Sequence, residues 1–298
     1  MKKPLFVCGS KEYFENDLAE KLSSLDISGK TVLVYSRLLS FGRISSERSV
    51  REIIQVIKKQ IGPKGTLCIP SYSLSAYNNE VFDPENSKCI VGQLGEVARK
   101  MRGFKRTFHP VYSNAISGKN TRYLLKQSPN TCFGDGSFFD LFSKIEDARL
   151  LFIGTPLNAA TIVHLYDQRC SAPGRFIKFF QAKCLLNGKI INIKFDSYVR
   201  DPKYYDNKIH CLAPVELIAD SLKVIKRKKF ASDWIHMIKE SDFARIYSAF
   251  HKNGMTDRLL ASREDQQEYY QRNNFHLYKK RLGSEELNYM KKLIKLVI

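Results

Sequence analysis

No two cysteines stand at a metal- or redox-type spacing: the seven, at 8, 68, 89, 132, 170, 184 and 211, are never closer than thirteen residues apart. That excludes zinc ribbons and dithiol redox chemistry. An odd set of thiols, some inside apolar runs such as those around Cys68 and Cys184, suits a reducing cytoplasm. No stretch approaches the ~18 consecutive apolar residues of a membrane span. The apolar part of Met1–Glu12 is too short for a secretory signal. Nucleotide signatures are missing as well. Gly134-Asp-Gly136 has Phe139 where a dinucleotide fingerprint needs its third glycine, and no Gly-x4-Gly-Lys-Ser/Thr loop occurs. Neither His-Glu-x-x-His nor Gly-x-Ser-x-Gly appears, which removes the zincins and the nucleophile-elbow hydrolases.

Acid is also scarce. Thirty Asp and Glu face 49 Lys and Arg, a net charge of +19, while 43% hydrophobic and 27% charged residues exclude a wholly disordered chain. Such a balance points to an anionic partner: nucleic acid, a membrane surface or a phosphorylated ligand. The excess is spread, however. Residues 221–298 carry 17 basic and 9 acidic side chains, interleaved, and the first 220 carry 32 and 21. The one dense run, Lys226-Arg-Lys-Lys229, reads as the solvated end of a helix.

No repeat, low-complexity tract or linker divides the chain, so a single domain over 1–298 is expected. Thr31–Ser36, Thr66–Pro70 and residues 149–154 read as short buried strands. Ser45 or Ser46 can cap a helix whose Val50, Ile53, Ile54 and Ile57 share one face and which Gly62 ends. A second helix is expected over 92–101. Asn187-Gly188 suits the type I′ turn of a hairpin over 184–191. Beyond about 213 the pattern reads as helical, ending with Leu287, Met290, Ile294 and Val297 on one face. Together these predict an α/β class: a mixed central sheet flanked by helices, with a core over 28–212 and a helical portion over 213–298.

Polar groups gather where strands end, the place where α/β sheets bind ligands. They are Ser36-Arg37-Leu38, Pro70-Ser-Tyr72-Ser73, Arg106-Thr-Phe-His109-Pro and the segment Asn158 to Asp167. If Asn158 caps a helix, Thr161, His164 and Asp167 recur every three residues and share one face.

These segments resemble the aminoglycoside 3-N-acetyltransferase family. The resemblance runs from about residue 28 to about 180, through Val32-Leu-Val-Tyr-Ser36, Ser40-Phe-Gly42, Gly62-Pro-Lys-Gly-Thr-Leu67, Pro70-Ser-Tyr-Ser73 and Phe82-Asp-Pro-Glu-Asn-Ser87. It continues in Gly92-Gln-Leu-Gly-Glu96, Arg106-x-x-His-Pro-x-x-Ser113, Phe133-Gly-Asp-Gly-Ser137 and the Thr161/His164 segment. Nine short pieces in family order carry it, and it implies a fold other than that of the common N-acetyltransferases. It implies an acetyl-CoA-dependent (or other acyl-CoA-dependent) N-acyltransferase without a metal. His164 would be the general base and Thr161 the oxyanion donor. Glu96 would orient the histidine or the incoming ammonium, and Asp167, where the family usually has glutamate, would line the amine pocket. Ser36, Arg37, Leu38, Tyr72, Ser73, Arg106 and His109 would cradle the CoA.

The charge suggests an acceptor. A polycationic aminoglycoside is repelled by a chain at +19, whereas a nucleotide-linked amino sugar is drawn in. The expected acceptor is therefore a nucleotide-linked amino sugar, with an aminoglycoside antibiotic as the alternative. A second alternative is an inactive scaffold that binds nucleic acid through Tyr269-Tyr-Gln-Arg272 and Phe275-His-Leu-Tyr-Lys279. The retained Thr161, His164 and Glu96 favour the enzyme. The reading leaves room for a homo-oligomer.

Overall fold

The computed structural model of the chain describes residues 3–271 and 284–297. Its centre is a seven-stranded mixed sheet. In chain order the strands are β1 (Thr31–Ser36), β2 (Thr66–Pro70), β3 (Lys105–Arg106), β4 (Asn114–Gly118), β5 (Ala148–Ile153), β6 (Ile225–Phe230) and β7 (Asp233–Lys239), and across the sheet they run β6-β7-β5-β1-β2-β4-β3. The middle three, β5, β1 and β2, are parallel; the outer strands pair antiparallel. Both faces of the middle strands are buried, as their unbroken apolar runs require. Side chains alternate between two cores. Leu33, Tyr35, Cys68, Leu150 and Phe152 face one; Val32, Val34, Leu67, Ile69, Leu151 and Ile153 face the other.

Helix α1 (Glu47–Ile61) covers the second core with Val50, Ile53, Ile54 and Ile57, and each fully buried isoleucine contributes about 1.5–3 kcal/mol. Ser46 caps it through the Ser49 amide and Gly62 ends it, as its sequence predicts. The first core lies beneath α2 (Val163–Arg169), α3 (Ala213–Ser221), α4 (Glu240–Lys252) and α5 (Ser284–Val297). In α5, Leu293 and Val297 are buried and Ile294 packs against them. The helix expected over 92–101 is regular only over Gln93–Ala98.

Two expectations are corrected. The hairpin at Asn187-Gly188 forms with positive φ at both residues, but each arm has 12 residues, Arg175–Leu186 and Lys189–Arg200. The portion beyond 213 is not all helical: β6 and β7 extend the central sheet through β5. The run Lys226–Lys229 therefore lies in an edge strand. There the apolar ends Ile225 and Phe230 anchor the strand, and its lysines discourage further pairing. Periodicity missed it because four successive cations hide a two-residue alternation. All seven cysteines are free. Among the described residues no helix is long and apolar enough to cross a membrane. The side chains of the Tyr269–Arg272 and Phe275–Lys279 segments lie outside the described residues.

Candidate active site

A cleft of about 230 Å³ opens at the carboxyl ends of β1 and β2, lined among others by Ser36, Pro70, Tyr72, Gly95 and Thr161. Its narrowness is built in. A Cβ on Gly95 would stand 2.1 Å from the Pro70 carbonyl oxygen, so only glycine lets that helix approach the strand end. The Tyr72 hydroxyl is buried there beside that of Thr161, and burial raises its pKa, so it stays protonated.

Thr161 leads into α2, where its carbonyl accepts from the His164 amide at 3.2 Å. Tyr35, rising from β1, accepts the Ile162 amide at 3.3 Å and fixes this entry. Asn158 does not cap α2. It lies in a separate 3-10 turn, where its side chain instead binds the Leu212 amide and the His210 carbonyl. One turn of helix then brings His164 Nδ1 to 3.0 Å from Asp167 Oδ2, the i,i+3 contact expected from the spacing. The His164 side chain remains 22% exposed, while Asp167 is fully buried.

Asp167 is the hub of the site. Tyr247 donates to Oδ1 at 2.7 Å, Arg175 stands 3.2 Å from Oδ2, His251 Nε2 is 3.3 Å from Oδ1 and His210 Nε2 is 3.9 Å from Oδ2. Burial pushes its pKa up, but the hydrogen bond from His164 and the neighbouring His251, His210 and Arg175 outweigh burial and hold the carboxylate ionised. An ionised Asp167 fixes the proton of His164 on Nδ1 and leaves Nε2 as a lone-pair acceptor. Burial, helped by Arg175 and opposed by Asp167, lowers the pKa of His164, so its neutral form dominates at pH 7. A neutral imidazole steered by a buried carboxylate can accept a proton.

Asp167 was expected to line an amine pocket, but its oxygens are already occupied by His164, Tyr247, Arg175 and His251. Glu96 is not in this group. Its carboxylate binds Arg99 at 2.6 and 2.7 Å, Lys100 at 2.6 Å and the Cys89 amide at 2.8 Å. Partial burial raises its pKa, but these partners bring it down to about 2. Sequence reasoning missed Arg175, His210, Tyr247 and His251, which come from the long hairpin and the segment after 209. Their only signal was imidazole and guanidinium in otherwise apolar runs.

The expected CoA cradle divides. Ser36 and Tyr72 line the cleft, and Arg37 is half exposed, 3.7 Å from Asp233. Leu38 is buried in the second core. Ser73 is buried and donates to the Pro110 carbonyl at 2.8 Å. Arg106 latches loops together: it donates to Ser113 Oγ at 2.9 Å and to the carbonyls of Pro84 at 3.3 Å, Ser87 at 2.5 Å and Ser71, leaving no fork for a phosphate. Burial lowers its pKa to about 10. His109 is a turn acceptor whose Nδ1 takes the amides of Val111 and Tyr112 at 3.1 and 3.0 Å, and burial lowers its pKa to about 3. Arg106 and His109 are thus both engaged with groups of neighbouring loops. His164, Asp167 and His210 place ligand atoms within 4.8 Å of one another, but the Arg175 guanidinium, 3.3 Å from His210 Nε2, supplies the positive charge there and repels a metal ion.

A family model described as aminoglycoside 3-N-acetyltransferase matches residues 33–263, most of the chain. The chain belongs to this family. It is an N-acyltransferase by descent, with the mixed α/β fold of these enzymes. Aminoglycoside N(3)-acetyltransferase VII of Streptomyces paromomycinus is 24% identical over 199 residues, 60% of this chain and 68% of that protein. Aminoglycoside N(3)-acetyltransferase IV of Salmonella sp is 23% identical over 188 residues, 62% of this chain and 69% of that protein. Among solved structures, aminoglycoside acetyltransferase AAC(3)-Xa superimposes with a TM-score of 0.67 at 18% identity, covering 82% of this chain and 93% of that one. AAC-IIIb, solved with CoASH, gives 0.66 at 17% identity, covering 82% and 97%.

Proposed function

We propose that this protein transfers the acetyl group of acetyl-CoA to an amine of an amino sugar, with His164 as general base. The observation that carries the reading is the His164–Asp167 pair, whose His164 amide binds the carbonyl of Thr161 on the wall of a narrow cleft at the strand ends. Acetyl-CoA supplies an activated thioester. The chain's residues do the rest. His164 Nε2 takes the proton from the attacking amine as the nitrogen–carbon bond forms and the carbon–sulfur bond breaks; the thiolate that leaves then takes up a proton. Thr161, on the cleft wall, donates to the carbonyl oxygen as it gains charge. The cleft suits the acyl end of such a thioester, since the hydroxyl-bearing Tyr72 and Thr161 both line it. Ser36 lines the same wall, and Arg37, next in the chain and half exposed beside Asp233, presents a guanidinium to phosphate.

The names of the relatives favour an aminoglycoside acceptor. A second reading, an amino sugar linked to a nucleotide, is favoured by the cations Arg175 and Arg200 near the base, which weigh against a polycation. We place the protein in the cytoplasm, where acetyl-CoA is found. Steady-state release of CoA thiol from acetyl-CoA, screened across aminoglycosides, free amino sugars and nucleotide-linked amino sugars, tests the proposal. Turnover with any amine supports it, and none across all three classes overturns it.

A further inference from the structure

Arg175 and Arg200 sit directly opposite each other at the base of the long hairpin. Like charges at opposed positions repel. Both guanidinium groups also stand over the ring of Tyr205, at 5.7 and 5.3 Å. Their surroundings differ. Arg175 is almost wholly buried and fully engaged, with Asp167 at 3.2 Å, the Tyr205 hydroxyl at 3.1 Å, the Tyr198 carbonyl at 3.1 Å and His210 at 3.3 Å. Arg200 is half-buried, and among the described residues its side chain has neither a hydrogen bond nor a carboxylate within 4.0 Å. The carboxylate of Asp167 acts on it from a distance, but His164, Tyr247 and Arg175 already satisfy that group.

Resting on the transferase reading above, we propose that Arg200 forms an anion subsite beside His164 that binds a phosphate group carried by the acceptor. A half-buried guanidinium with no counter-ion, set against a second guanidinium, is unfavourable until an anion joins it. The planar fork of arginine matches phosphate oxygens two at a time, and it stays charged even where burial and Arg175 lower its pKa. Arg200 shares the Tyr205 ring with Arg175, which meets Asp167 at 3.2 Å, and Asp167 in turn holds His164 at 3.0 Å, so a phosphate held by Arg200 lies on the same side of the site as the base. The same spot repels the ammonium groups of an aminoglycoside. The acceptor is then a phosphorylated amino sugar, either a sugar phosphate or a nucleoside-diphosphate sugar; both present the same phosphate ester.

The test compares wild type with Arg200→Gln on three acceptors: a neutral amino sugar, its 1-phosphate and its uridine-diphosphate derivative. We expect the wild type to prefer one or both phosphorylated forms in kcat/KM. Arg200→Gln should lower that preference by about 10- to 100-fold, the worth of one charge-assisted pair. Preference for the 1-phosphate and the nucleotide alike places the ester phosphate at Arg200; preference for the nucleotide alone places the second phosphate there. A loss that falls equally on the neutral sugar, or that sits in the KM of acetyl-CoA, overturns the proposal. Calorimetry with the two phosphorylated sugars, without acetyl-CoA, keeps the subsite apart from the chemistry. Binding that depends on Arg200 supports the site even if no acceptor is turned over, and no binding to wild type overturns it.

Discussion

Replacing Asp167 by asparagine removes one charge from the most heavily bonded point of the molecule. The carboxylate is fully buried and meets His164 at 3.0 Å, Tyr247 at 2.7 Å and Arg175 at 3.2 Å, all of them donors. An amide presents a donor on one side, so one of these groups then faces a donor. If that group is His164, its Nδ1 must surrender the proton and Nε2 takes it, which is the wrong tautomer for a base. Comparable carboxylate-to-amide changes in catalytic triads cost about 10⁴ in kcat, so a loss of about 10²–10⁴ is expected here. A second cost falls on stability. Arg175 is 2% exposed and would lose its counter-ion, and breaking a buried pair costs about 3–5 kcal/mol. Tyr247→Phe is the control: it deletes one neutral donor, so stability should fall by about 1–2 kcal/mol and kcat by less than about tenfold. Thiol-release kinetics and urea unfolding on both variants read the two effects separately. An Asp167→Asn enzyme that folds and retains kcat within about threefold of wild type would refute the orienting role.

Two further outcomes follow from the geometry. Thr161→Val keeps the side-chain shape and loses the donor, so kcat should fall by up to about 10²-fold with little change in unfolding midpoint; unchanged specific activity would make the hydroxyl structural. Arg106→Ala leaves the carbonyls of Ser71, Ser87 and Pro84 without their donor, so urea unfolding should show a loss of about 3 kcal/mol or more, while the affinity of the folded protein for acetyl-CoA stays within about twofold. A selective loss of acetyl-CoA binding would return Arg106 to the cofactor site.

How far the sequence reached depended on whether a residue's partner was local. The parallel strands were legible because burial on both faces leaves an unbroken apolar run. The His164–Asp167 contact was legible because a helix fixes which residues meet three positions apart. The partners of Arg106, main-chain groups in other loops, were not legible, and nor was the turn in which His109 takes the Val111 and Tyr112 amides. Glu96 was misread for the opposite reason: Arg99 and Lys100 stand on its own helical face, and they occupy the carboxylate. The donors that complete the Asp167 hub, Tyr247 on α4 and Arg175 on the hairpin, are 80 and 8 residues away in sequence and reach it only through the fold. The strand at 225–230 was hidden because four cations mask its alternation.

The central claim is that neutral His164 takes the proton of the amine. The most direct measurement is kcat against pH, with saturating acetyl-CoA and acceptor, for wild type and His164→Ala. Burial lowers the pKa of His164 below the usual 6.5. The base is therefore fully competent at and above neutrality and is lost only as pH falls through that lowered value. The wild-type profile should show an acid limb with its midpoint below 6.5. His164→Ala should lack that limb and run about 10²–10⁴ slower on the plateau. An alanine variant that keeps the wild-type rate, or an acid limb that survives the substitution unchanged, would contradict the assignment.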